Sequence, residues 1–164
     1  DWWQTKDIAG ISFTCTPAQH FSGRTATIAM QKTLWSSWAL RTEATSVYFS
    51  GDSGYAGHFK EIGDRLGPFD LTLIDAGQYN ERWRQVHNLP PQVIDAFNDL
   101  RGDMLLPIGW GMFTLALHDW YEPPVEISSR AIKIGATVAI PKFGEWVDIN
   151  QELPDKKWWE PLID

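Results

Sequence analysis

Val47-Tyr48-Phe49-Ser50-Gly51-Asp52-Ser53-Gly54-Tyr55 is the stretch that decides how this chain folds. Three apolar β-formers stop at Gly-Asp-Ser-Gly, and a helical period begins directly after them. Phe59, Ile62 and Leu66 then share one helical face, with Lys60, Glu61, Asp64 and Arg65 opposite. A strand, a tight turn and a helix in that order put Asp52 at the C-terminal edge of a strand, where open sheets collect their chemistry. Gly51 and Gly54 admit a tight turn or a close approach of the backbone to a ligand. Asp52 is there either as a turn residue capping the helix or as a ligand for a cation. Upstream, Pro17-Ala18-Gln19-His20 follows another strand and offers a second type of metal ligand.

Outward from that centre, Ile11, Phe13 and Cys15 alternate with Ser12, Thr14 and Thr16, which predicts a half-buried strand over 10–16. Residues 33–40 and 46–50 read as a hairpin turning at 42–45. Asp1 to Lys6 reads as an extended segment. Downstream, Gly67-Pro68 closes the first helix, and Phe69 to Ile74 is a buried strand leading into Asp75-Ala76-Gly77-Gln78-Tyr79. Pro90-Pro91 opens a helix with Val93, Ile94, Phe97 and Leu100 on one stripe. Met104 to Ile108 is a third short strand, and Gly109-Trp110-Gly111 a third loop. Helices are expected over 112–119 and from Pro123-Pro124 to about 135. A short strand at Val138-Ala139-Ile140 and a polar, Trp-bearing surface tail complete the chain. Hairpins followed by alternating helices and strands indicate an α/β or α+β layered sandwich.

The 164 residues suit one domain with a real core. A net charge of −7 argues against a nucleic-acid partner, which calls for a basic stripe. The single cysteine, Cys15, excludes an internal disulfide and a Cys-rich zinc site, and leaves a reducing compartment open. It lies with Ile11 and Phe13 on the apolar face and reads as a packed thiol. No run reaches the roughly 18–20 apolar residues that a membrane span requires, and the expected location is cytoplasmic. The ten tryptophans are a heavy load for core, pocket wall or contact with an amphiphilic ligand.

An imidazole and a carboxylate at neighbouring strand ends suit zinc, iron or manganese. One His and one Asp are too few by themselves, since catalytic zinc normally has three protein ligands and an open position. Asp75 ends a strand as Asp52 does, and either orients a ligand or caps a turn. His58 and His118 read as structural or solvated histidines.

Pro17-Ala18-Gln19-His20-Phe21-Ser22-Gly23-Arg24, followed by Leu34-Trp35-Ser36-Ser37-Trp38, resembles the metallo-β-lactamase superfamily. Within it, the resemblance is to the branch of N-acylphosphatidylethanolamine phospholipase D and the UlaG-like and RomA-like proteins. Gly51-Asp52-Ser53-Gly54-Tyr55, Gly67-Pro68-Phe69-Asp70 and Gly77-Gln78-Tyr79-Asn80-Glu81-Arg82-Trp83 are similar to that branch in order and spacing, as are His87, Pro90-Pro91 and Leu115-Ala116-Leu117-His118-Asp119-Trp120. The resemblance implies a four-layer αββα sandwich with a one- or two-metal centre at the sheet edge, occupied by zinc, or by manganese or iron. It makes His20 a metal ligand and Asp52 the carboxylate that bridges two metals. It places His87 near the substrate's phosphoryl or acyl-bearing group. Tyr79 and Arg82 lie in the same loop and are expected to line that pocket. The implied activity is hydrolysis of a phosphodiester, lactone or amide in a small-molecule or lipid-like substrate.

Two departures qualify that pattern. The family's His-x-His-x-Asp-His signature precedes the region matched and is absent here, so residues 1–164 resemble the C-terminal portion of one such domain, with about 126–164 as its final helix, strand and tail. The partner expected for it is either a second copy or a missing N-terminal half. In Leu105-Leu106-Pro107-Ile108-Gly109-Trp110-Gly111, Gly109 stands where the family usually has a ligating His. That supports a rival reading, a non-catalytic binding or regulatory protein with a degenerate metal site.

Overall fold

A computed structural model of the protein describes residues 1–23, 32–151, 153 and 157–163. Arg24 of the Pro17–Arg24 motif lies outside the described residues. The described chain forms one mixed sheet of seven strands, β1 (Thr5–Ile8), β2 (Ile11–Pro17), β3 (Ser36–Arg41), β4 (Ser46–Phe49), β5 (Phe69–Asp75), β6 (Gly102–Ile108) and β7 (Thr137–Val138). Their spatial order is their chain order. β1 to β4 pair antiparallel, and β4 to β7 pair parallel. Parallel neighbours need a crossover, and helices provide it. These are α1 (His58–Leu66), α2 (Pro90–Asp99) and α3 (Glu122–Ile134).

All three helices lie on one face of the sheet. Phe59 and Ile62 of α1, Val93 and Phe97 of α2, and Ile127 and Ala131 of α3 form one core with Ala39, Tyr48, Phe69, Ile74 and Leu105 of the strands. The apolar stripes read from the sequence for α1 and α2 are the faces that make this contact. Prolines occupy the first turns of α2 and α3, where the missing N–H costs nothing, and Gly135 closes α3 in the left-handed region.

The opposite face carries two apolar rows set by the register. One runs Phe13, Leu40, Val47, Leu71, Met104; the other runs Cys15, Trp38, Phe49, Leu73, Leu106. No described helix covers them, and Trp38 and Phe49 are about 40% exposed. The chain therefore supplies one helical layer and one sheet of a layered α/β sandwich.

Three expectations are corrected. The extended start continues into β1, which joins β2 through Ala9 and Gly10, both at positive φ. That pair makes a two-residue hairpin turn without the Asn-Gly or Asp-Gly that would announce it. Residues 112–119 form no helix, because the Gln78 side chain takes up the backbone groups a helix would use. Its Oε1 accepts from Leu115 N and Ala116 N, and its Nε2 donates to Phe113 O. The tail does more than cover the surface, since Trp159 is buried with Trp110 and Ile140, and Trp158 Nε1 donates to Ile140 O at 3.1 Å.

Candidate functional site

Topology brings the site together before any side chain does. β2, β4, β5 and β6 point the same way, so the loops leaving their C-terminal ends share one edge of the sheet. Those loops carry His20, Asp52, His87 and Gly109 respectively. A cleft of about 900 Å³ opens there, with His20, Asp52 and His87 in its wall beside Phe21, Gln78, Trp83 and Leu115. The rings of His20 and His87 meet edge to face, with centroids 5.5 Å apart.

His20 Nδ1 lies 2.8 Å from Phe21 O. A carbonyl only accepts, so Nδ1 carries the proton and Nε2 keeps its lone pair for a ligand. Asp52 follows Gly51, whose φ of +59° turns the chain sharply after β4, and its carboxylate is exposed in the cleft wall. Gln19 N donates to Ser53 Oγ at 3.0 Å and Gly54 N donates to Gln19 O at 3.0 Å, which locks the His20 and Asp52 loops together. This donor set fits a divalent cation, with an imidazole nitrogen and a carboxylate held by backbone contacts. Among the described residues no three His, Cys, Asp or Glu side chains converge as a complete metal site.

His87 is held differently. Its Nδ1 lies 2.7 Å from Asp75 Oδ2, with side-chain exposures of 19% for His87 and 3% for Asp75. Burial pulls the His87 pKa down, but the hydrogen bond to Asp75 and the charges of Asp75 and Asp52 outweigh it, and the net shift is upward. Asp75 is pushed up by burial, against the opposing pull of His87. At the end of β6, Gly109 has φ +80°, and a Cβ placed on it would lie 2.9 Å from Asp75 Oδ1. Asp75 thus fills the space beside the position where a His was expected.

Tyr79 and Arg82 are not in the cleft wall. Tyr79 is buried in the other direction, donating from its hydroxyl to Glu122 Oε1 at 2.5 Å and stacking on His118 at 4.2 Å. Arg82 sits on a short 3-10 turn, Glu81–Trp83, with an exposed side chain. The same loop instead contributes Gln78 and Trp83. Gln78 adopts φ +60°, which turns the loop, and Trp83 is pinned by its Nε1 donating to Gln78 O at 2.7 Å. His58 lies outside the cleft, against Ser53 and Phe59, where burial lowers its pKa to about 4.

A mixed sheet with helices on one face and His and Asp side chains gathered at the C-terminal ends of its parallel-directed strands defines an α/β fold with a candidate site at one sheet edge. The family model described as a beta-lactamase superfamily domain matches residues 1–110. The chain belongs to the metallo-β-lactamase superfamily. It is 39% identical over 162 residues to an uncharacterised protein of Mycobacterium tuberculosis, covering 97% of this chain and 43% of that protein. It is 36% identical over 148 residues to an N-acyl-phosphatidylethanolamine-hydrolyzing phospholipase D of Caenorhabditis elegans, covering 88% of this chain and 37% of that enzyme. The chain thus spans less than half the length of these relatives. Among solved structures, Igni18, a metallo hydrolase from the archaeon Ignicoccus hospitalis, superposes with a TM-score of 0.71 at 21% identity, over 90% of this chain and 58% of that one. No helix of the described residues is long and apolar enough to cross a membrane.

Proposed function

We propose that this chain is the C-terminal portion of a metal-dependent hydrolase domain, in which His20 and Asp52 hold a divalent ion and His87 addresses the substrate. The observation that carries the reading is the convergence of those three residues on one cleft at the C-terminal ends of parallel strands. Zinc is one ion that a His and a carboxylate suit, with manganese or iron as alternatives. Such an ion supplies Lewis-acid polarisation and an acidified water at neutral pH. The substrate is a small molecule or lipid carrying a phosphodiester, lactone or amide. His87, with Nδ1 tied to Asp75, presents Nε2 to the phosphoryl or acyl oxygen and donates a proton there when its ring is charged. Phe21, Trp83 and Leu115 form an apolar wall against the rest of the substrate. The further metal ligands come from residues outside this chain, on a segment whose own sheet packs on the open face.

Gly109 favours a second reading, a non-catalytic regulatory or binding protein whose degenerate site holds no tight metal. Metal analysis of the full-length protein separates the two. One to two equivalents, lost on His20→Ala or Asp52→Ala, support the hydrolase, and absence of tight metal supports the binder. His87→Ala should keep the metal and lower turnover of a generic phosphodiester by roughly 10²-fold, the scale of a lost general acid. Unchanged turnover in that variant would remove His87 from the mechanism.

A further inference from the structure

Asp75 is buried more deeply than a turn-capping role requires. Its carboxylate is 3% exposed, and taking a carboxylate out of water is costly unless a partner compensates. The two oxygens divide their work. Oδ1 makes only a long contact, 3.4 Å, to Gly77 N, the bond a turn cap would use. Oδ2 takes the short one, 2.7 Å from His87 Nδ1, and a second from Ser53 N at 3.3 Å. Both ends of the short bond are anchored in the core. Asp75 N donates to Ser50 Oγ at 2.8 Å, and Ala76 N donates to Ile108 O at 2.9 Å. On the other side, the fully buried Asn88, next to His87, donates from Nδ2 to Asp75 O at 3.1 Å.

From this arrangement we infer that Asp75 is the positioning residue of the site: it holds the His87 proton on Nδ1 and fixes the ring so that Nε2 faces the cleft. An imidazole without such an acceptor samples both tautomers and several ring orientations. A buried, doubly anchored carboxylate selects one. Asp75 acts on substrate only through His87, so the inference rests on the role proposed for His87. Its place at the sheet end also sets the spacing between His87 and the Asp52 loop, because Ser53 N and His87 Nδ1 share one oxygen.

The test is a double-mutant cycle in the full-length protein, with bis(p-nitrophenyl) phosphate as the probe substrate. Asp75→Asn keeps the shape but offers either an acceptor or a donor to Nδ1, and should lower kcat about 10–100-fold, the usual effect of losing such a partner. The same change in a His87→Ala background should cost less than about twofold, since the route of its effect is gone. Equal losses in both backgrounds would make Asp75 merely structural and overturn the inference. So would full activity in Asp75→Asn where His87→Ala is impaired. If His87→Ala itself is fully active, it is the functional reading of His87 that fails. A measurement on the wild type covers the case in which Asp75→Asn does not fold. Long-range ¹H–¹⁵N spectra of the neutral His87 ring should show the proton on Nδ1 alone, and a proton on Nε2 or a mixture of tautomers would refute the inference.

Discussion

At Gly109 the backbone holds φ +80°, and the space beyond its missing side chain belongs to Asp75 Oδ1. A histidine there carries left-handed strain of roughly 1–3 kcal/mol and presses on the carboxylate that holds His87. Gly109→His is therefore expected to lower the melting temperature and to impair turnover even if metal content rises toward two equivalents. A rise in metal with unchanged melting and higher turnover would show that the site accepts the ligand freely. His58 gives a separate pH signature. Its folded pKa of about 4 lies below its ordinary 6.5 because burial disfavours the charged ring. A histidine depressed in the folded state stabilises fully above pH 6.5, and that stability falls as pH drops toward 4. The loss should be at most about 3.5 kcal/mol, ~1.4 kcal/mol for each pH unit between 6.5 and 4, and His58→Gln should flatten that part of a urea-melt pH series. At this scale the sequence was partly readable. His20, Asp52 and His87 share the cleft, the first two because each comes just after the end of a strand, and His87 because its hydrogen bond to Asp75 brings it back to the end of β5. Tyr79 and Arg82 were misplaced because side-chain direction in an irregular loop depends on backbone angles such as Gln78's, which no periodicity reports.

The elements were most legible where one apolar stripe meets one partner. α1 and α2 follow their stripes, and they pack closely because Gly63 lets them. A Cβ at Gly63 would lie 2.0 Å from Asp99 O of α2. Gly63→Ala must push the helices apart, and a loss of about 1–3 kcal/mol is expected in chemical denaturation, the cost of overpacking. Wild-type stability in that variant would mean the contact is looser than described. Residues 112–119 were misread because Met112, Phe113, Leu115 and Leu117 look like helix formers yet face solvent, with only Ala116 buried. Propensity without a face to bury lost to the bonds from Gln78. Gln78→Ala should therefore free this loop, seen as faster amide exchange at Leu115 and Ala116, while the core strands keep their protection. β1 escaped notice for the opposite reason, since all four of its residues are exposed and it has no apolar pattern to find.

At the scale of the whole molecule, the sheet has one finished face and one unfinished one, and its two edges are short. β1 presents Lys6 and Asp7 at one margin, and β7 at the other is only two residues long. Charged and very short edge strands discourage the addition of further strands. On the sheet itself, the surplus apolar surface lies on the open face rather than at the margins, in the rows through Trp38 and Phe49. Those placements settle the manner in which isolated copies would self-associate. A sticky edge extends without limit into fibres, whereas a sticky face is used up once two copies meet across a twofold axis. The isolated chain should accordingly sediment as a closed dimer and leave thioflavin fluorescence flat, and Trp38→Lys should return it to monomer. Fibre growth from the wild-type chain would show that the short, charged margins are not the guard they are taken to be.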